Sequence, residues 1–283
     1  MKKIVWITGA GGLIGNYLVR TAPQFVPEWQ VTGLNRATLD LTDFRAVRKL
    51  FSLQQPQLII HCAALSKVPS CQENPKLART LNVEVTQSLA EIASEISLIF
   101  FSTDLVFDGQ KGNYSEPDKV NPLTVYAETK VAAEKIILQN PKHSVIRISM
   151  NGGISPTGDR GFNEEMRNAW RSGQSLKLFT DEFRCPLPAV VSARAVWELG
   201  RQDQSGIFHL AGRERLSRFQ IGKLLADRCP TLHPKIEAAS LDNYDGPTRP
   251  PDTSLNCAKL QKLLSFPLPG MSDWLTRNPA EDF

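Results

Sequence analysis

The chain has 283 residues, 41% of them hydrophobic and 22% charged, with a formal net charge of +4. This composition supports a packed core and excludes wholesale disorder, and the length suits one large α/β domain or a main domain with a smaller lobe. Lysines and arginines are scattered, and the basic run Arg213, Arg215, Arg218 reads as a solvated helix face, so no nucleic-acid partner is expected.

Lys2-Lys3 ahead of Ile4-Val5-Trp6-Ile7 opens like a secretion signal, but the apolar run is too short and glycines follow at once. No window reaches membrane-spanning length. A cytoplasmic protein without membrane association is the expectation. Five cysteines lack any Cys-x-x-Cys pair, and the four histidines lack metal-ligand spacing. Inert thiols and no metal site follow. His61 closes an apolar run and reads as a structural histidine.

In chain order, a first strand is predicted over residues 3–8 and a helix opens at 12–20. Strands follow at 30–34 and 58–62, with a helix capped by Thr42 or Asp43 between them. A longer helix runs from Pro75, with Leu77, Leu81, Val85, Leu89 and Ile92 at helical spacing. A fourth strand covers 98–101, a helix 125–138 and a fifth strand 145–148. This alternation predicts an α/β fold, a Rossmann-type doubly wound parallel sheet. After Met150 the pattern loosens. A helix is expected at 162–172, short strands at 176–179, 190–191 and 207–210, and helices near 193–200 and 219–228. Residues 230–256 are rich in proline and show little periodicity. A short helix is expected at 258–264, with Trp274 anchoring the C-terminal turn. The expected division is a dinucleotide-binding domain over 1–150 and, over 151–283, mainly a substrate lobe with elements returning to the main domain.

Glycines 9, 12 and 15 lie between the first strand and its helix. Gly9 permits the tight turn, Gly12 lets backbone amides of the Leu13-Ile14 helix start approach a pyrophosphate, and Gly15 lets helix and strand pack closely. About 20 residues on, where an acidic residue would bind a ribose 2′-hydroxyl, stand Asn35-Arg36. Arg36 suits a 2′-phosphate, so NADP is the expected cofactor, with NADPH preferred over NADH. Asp40-Leu41 is placed to reach the adenine edge, and Ala63-Ala64 is small enough for the cofactor to lie against.

The fourth strand ends in Ser102-Thr103-Asp104, and Tyr126 and Lys130 follow on one helix face. An ordinary tyrosine, with a pKa of about 10, is a poor acid–base group near neutrality. A neighbouring ammonium and an oxidised nicotinamide would both lower that value. Thr103, in preference to Ser102, would fix the substrate oxygen, Tyr126 would supply the proton, and Lys130 would also hold the nicotinamide ribose.

With these residues in view, the chain resembles the extended short-chain dehydrogenases/reductases, and within them the dTDP-4-dehydrorhamnose reductase family. The regulatory β subunit of methionine adenosyltransferase is among that family's relatives. The match rests on Thr8 to Gly15, Asp40-Leu41, Ala63-Ala64, Asn82, Ser102-Thr103-Asp104-Leu-Val-Phe107-Asp108-Gly109, Pro122-Leu123-x-x-Tyr126-x-x-x-Lys130 with Glu134, and Arg249-Pro250 with Ser254-Leu255 and Lys259-Leu260. It spans nearly the whole chain. The resemblance implies that Thr103, Tyr126 and Lys130 are catalytic. It also implies that Asp104, Phe107 and the Met150 position border the sugar, and that Arg249 meets the diphosphate of a nucleotide sugar. The implied partner is that substrate; a homodimer is a further expectation, which the resemblance does not supply. Leu65, Leu105, Ala127 and Met150 depart from the family pattern, and two of those positions are where the sugar would pack. Leu105 also stands where a dehydratase would carry an extra acid. The readings carried forward are a 4-keto nucleotide-sugar reductase, an epimerase using the same tyrosine and lysine, and a non-catalytic NADP-binding regulatory subunit.

Overall fold

The computed structural model describes residues 2–281 and 283. Its centre is a six-stranded parallel sheet of β1 (Ile4–Thr8), β2 (Gln30–Leu34), β3 (Leu58–His61), β4 (Ser97–Thr103), β5 (Ser144–Ile148) and β10 (Gly206–Leu210), in the order β10-β5-β4-β3-β1-β2. The strands bury both faces, which explains their nearly continuous apolar runs. Their period-two alternation sorts them between two cores. Val5, Ile7, Ile60, Ile99, Phe101 and Ile146 face α1 (Leu13–Phe25) and α8 (Ala189–Arg201). Trp6, Ile59, Leu98, Phe100 and Val145 face α2 (Phe44–Gln54), α5 (Val85–Ile92) and α6 (Val125–Ile137).

The predicted long helix from Pro75 is interrupted. It follows α3 (Val68–Glu73) and consists of α4 (Pro75–Arg79), a π-helical turn over Thr80–Glu84, and α5. Asn74 caps α4 by accepting from the Leu77 N–H. The wider turn rotates the apolar stripe, which leaves Leu77, predicted on the buried face, 44% exposed. β4 runs two residues beyond its predicted end, so Ser102 and Thr103 are strand residues that point to opposite faces.

After β5 come β6 (Asn151–Gly152), α7 (Phe162–Arg171), β7 (Ser175–Phe179), β8 (Phe183–Arg184) and β9 (Leu187–Pro188). The short strand predicted at 190–191 is instead the first turn of α8, because the apolar residues over 189–200 bury at helical spacing against α1. α8 and β10 both return to the main sheet, β10 pairing parallel with β5. The chain then forms β11 (Leu216–Ser217), α9 (Arg218–Arg228), β12 (Lys235–Ala239), α10 (Ala258–Gln261) and α11 (Met271–Arg277). β12 pairs parallel with β7 and was masked in the sequence by the surrounding prolines. Trp274 packs with Met166, Trp170, Ile221 and Phe283 in a third core beneath this lobe. No helix among the described residues is long and apolar enough to cross a membrane.

Candidate active site

The sheet order reverses at β1, which lies between β2 and β3, and the crevice beyond the strand ends there is the general ligand position of such sheets. The glycine turn fills it. Gly9 has φ +71°, and a Cβ there would lie 2.6 Å from the Ala63 nitrogen, so a side chain is excluded by both conformation and space. A Cβ on Gly15 would collide with the Gly9 carbonyl oxygen. Gly12 is the N-cap of α1 and supplies no side-chain cap, which leaves the N–H groups of the first turn, at Leu13 and Ile14, available to an anion. Ala63 abuts the turn, and Ala64 is exposed beside it.

Arg36 is exposed at the end of β2. The preceding Asn35 fixes that loop, its Oδ1 accepting from the Ala37 N–H at 2.9 Å and the Thr38 N–H at 3.1 Å. Asp40 is less free than expected. Its Oδ1 accepts both the Thr42 N–H and the Thr42 hydroxyl, which hold its pKa below the ordinary value. Leu41 packs into the core under α2 rather than standing clear at an adenine edge.

Thr103 ends β4 and Tyr126 opens α6, whose N-cap Thr124 accepts from the Ala127 N–H. The Tyr126 phenol is 9% exposed and lies beside the Thr103 hydroxyl. Burial raises the phenol's pKa, and this outweighs the lowering influence of the neighbouring Thr103 hydroxyl; the nearby Asp104 charge adds to the rise. The expectation that Lys130 lowers it is therefore corrected: the phenol is firmly protonated. Burial instead brings the Lys130 ammonium down to about 7, against the opposing Glu134 charge. Ser102 points the other way and donates to Glu134 Oε1, which leaves Thr103 as the hydroxyl at the phenol.

The helix is anchored by a residue the sequence named without a role. Asn82, in the π-helical turn, is 1% exposed. Its amide accepts from the Leu65 N–H at 2.8 Å and donates to the Leu65 carbonyl at 3.1 Å and the Thr129 hydroxyl at 3.0 Å. It ties the loop after β3 to the helix carrying Tyr126 and Lys130. A buried amide in an apolar helix stripe is the signal that points to such a clamp. His61 is likewise satisfied, between Thr8 and Thr86, and burial holds it neutral with a pKa of about 3.

On the substrate side two expectations are corrected. Phe107 is fully buried, stacked on Tyr114 with ring centroids 4.1 Å apart, so it packs behind the crevice instead of bordering a sugar. Asp104 is 4% exposed. Its carboxylate accepts from Ser149 at 2.8 Å and Thr253 at 3.0 Å, and lies 3.8 Å from Arg184, so it joins the lobe to the sheet rather than presenting itself to a ligand. Met150 is half-buried beside Arg218. Arg249 is half-buried and donates to both oxygens of Glu182, at 2.6 and 3.2 Å. Glu182, Arg184, Ser149 and Thr253 escaped sequence reasoning because only the fold brings 149, 182–184 and 253 together.

A family model described as the RmlD substrate binding domain matches residues 1–278. The chain is 29% identical to the probable low-salt glycan biosynthesis reductase of Haloferax volcanii, over 95% of this chain and 94% of that protein. It is 30% identical to the methionine adenosyltransferase 2 subunit beta of Xenopus laevis, over 91% and 81% respectively. Among solved structures, the dTDP-4-dehydrorhamnose reductase of Bacillus anthracis in complex with NADP superposes with a TM-score of 0.89 at 22% identity, covering 98% of each chain. A hypothetical dTDP-4-dehydrorhamnose reductase of Sulfolobus tokodaii gives 0.83 at 28% identity, covering 96% and 97%. The parallel sheet, the glycine turn and the full-length match together place this chain in the RmlD substrate-binding domain family.

Proposed function

We propose that the chain is an NADPH-dependent reductase of a 4-keto nucleotide sugar, with Tyr126 as proton donor. The observation that carries this reading is the contact between the Thr103 hydroxyl and a buried, protonated Tyr126 phenol, with Lys130 one turn along the same helix. The residues fit a dinucleotide on structural grounds. Gly9 and Gly15 keep side chains out of the cradle, and the α1 N-terminus offers free N–H groups to a diphosphate. Arg36, exposed just after β2, would meet a 2′-phosphate. When bound, the reduced nicotinamide supplies a hydride.

The chain's own groups do the rest. Thr103 holds the substrate oxygen, and Tyr126 transfers its proton to that oxygen as the carbonyl becomes an alcohol. Burial keeps the phenol protonated, the form a donor needs, and lowering its pKa enough for efficient transfer would fall to the Lys130 ammonium and the bound nicotinamide. Leu105, half-buried after Asp104, supplies no acid for loss of water.

The test is NADPH consumption against a panel of 4-keto nucleotide sugars. Turnover with at least one of them supports the reductase. Cofactor binding without turnover across the panel, together with co-purification of a partner enzyme, supports a regulatory subunit, the reading favoured by the 30% identity to the methionine adenosyltransferase β subunit. Arg36→Ser is expected to raise KM for NADPH about ten- to hundredfold and to leave NADH nearly unchanged, since one charge-assisted hydrogen bond contributes about 1.5–3 kcal/mol. Steady-state kinetics with both nucleotides checks this, and equal effects on the two would remove Arg36 from the 2′-phosphate site.

A further inference from the structure

Lys130 is 2% exposed, and its ammonium lies 4.0 Å over the Phe100 ring. Among the described residues no carboxylate pairs with it. Yet Glu134 stands one turn along the same helix, the spacing at which lysine and glutamate ordinarily meet.

Glu134 is engaged elsewhere. Arg147, on β5 and 3% exposed, donates from Nε to Oε1 at 3.0 Å and from Nη2 to Oε2 at 2.8 Å, and Ser102 adds a bond to Oε1. The guanidinium is itself held, lying 5.1 Å from the Phe107 ring centroid and donating to the Glu116 carbonyl at 3.4 Å. A buried ion pair is a poor way to add stability, because desolvating both charges offsets most of their attraction. Its position suggests a different service. One carboxylate lies between two cations, and the planar fork of arginine takes both of its oxygens.

We propose that Glu134 and Arg147 are a positioning pair that leaves the Lys130 ammonium without a carboxylate, free to take the ribose hydroxyls of the nicotinamide cofactor. This rests on the reading of Tyr126 and Lys130 as the site of NADPH-dependent reduction. Arg147 withholds Glu134 from Lys130, while the Glu134 charge, one turn away, opposes the burial that disfavours the ammonium. The other titratable groups acting on Lys130 are His61 at the end of β3, Cys62 just after it and Cys71 on α3. Burial holds the imidazole neutral and the thiols protonated, so Glu134 is the charge that decides.

The test measures the dissociation constant of NADPH by fluorescence on the full chain from about pH 6 to about pH 9, a window that brackets the lysine's lowered pKa. NADH in parallel separates the ionisation of the 2′-phosphate. The wild type is expected to lose affinity as pH rises through about 7, and Lys130→Met is expected to abolish that limb. Glu134→Gln is expected to move the limb down by roughly one pH unit. Arg147→Gln is expected to move it up by a similar amount and to weaken binding below it, because the freed carboxylate draws the ammonium away. Arg147→Lys, which keeps the charge without the fork, is expected to give a smaller upward shift, and it carries this arm if Arg147→Gln does not fold. Opposite displacements support the pair. Equal losses at every pH with the limb unmoved would mean a merely structural role and overturn it. Binding needs no turnover, so a wild type that binds NADPH but reduces no nucleotide sugar sinks the reductase reading while the pair is still judged.

Discussion

Tyr126→Phe is expected to lower kcat by about two to four orders of magnitude while leaving NADPH affinity within about twofold, the usual contribution of a positioned proton donor. The phenol is 9% exposed, beside the Thr103 hydroxyl, and packed among Cys71, Ala78, Leu65, Val68 and Leu105. Phenylalanine keeps that packing and removes only the oxygen, so folding should change by less than about 1.5 kcal/mol. The Thr103 hydroxyl retains its bonds to Asp104 and the Leu105 N–H, and with Thr103 holding the substrate oxygen as proposed, KM should move little. Because burial raises the phenol's pKa, wild-type kcat should show no loss through deprotonation of this group across neutral pH. Single-turnover oxidation of NADPH separates the chemical step from product release. A variant retaining more than about a tenth of wild-type kcat would remove Tyr126 from proton transfer, since even the weakest acid catalysis contributes about a hundredfold. Thr103→Val keeps the phenol but removes its partner and should cost less.

The parallel sheet was readable because strands buried on both faces are written as apolar runs, and those runs alternate with helical spacing. The glycine turn was readable because Gly9 and Gly15 are demanded by backbone contacts within a few residues of themselves and by the adjoining strand end. Tyr126 and Lys130 are related by a single helical turn, so their neighbourhood was legible too. The charge state of the phenol was not. Spacing shows that an ammonium is near, but burial sets the pKa, and burial depends on Leu65 and Cys71, which the fold brings in from another segment. The same holds for Asp104 and Phe107. As letters they follow the Thr103 hydroxyl, but the turn over Asp104–Val106 directs them into the interior. The lobe was least legible, since β12 and β7 pair across more than fifty residues and neither carries a strong alternation.

Removing the charge of Glu182 is expected to cost about 3 kcal/mol and to lower Tm by roughly 5–10 °C. Glu182 is 1% exposed, accepts from Arg249 and forms an ion pair with Arg184 at 3.1 Å. Burial pushes its pKa up, but Arg184, then Arg249 and Arg218, pull harder, and the carboxyl ends below its ordinary value of 4.5. In Glu182→Gln these guanidinium groups face one another without that charge. Arg184 keeps Asp104 at 3.8 Å, and Arg249, with its side chain 36% exposed, can turn towards water, which places the cost at the lower end for a broken buried pair. The pH dependence has a fixed sign. A depressed carboxylate contributes stability above its unfolded pKa and loses it as pH falls through the folded value, so the Tm gap between wild type and variant should close below about pH 4.5. If Arg249 meets the substrate diphosphate, the variant also leaves an uncompensated positive cluster that an anion can satisfy. A nucleoside diphosphate should then raise Tm more in Glu182→Gln than in the wild type, because a ligand that binds the folded state tighter stabilises it more. Thermal unfolding with and without the nucleotide reads both effects. An unchanged Tm would show that the cluster relaxes into solvent, and equal nucleotide shifts would detach Arg249 from the anion.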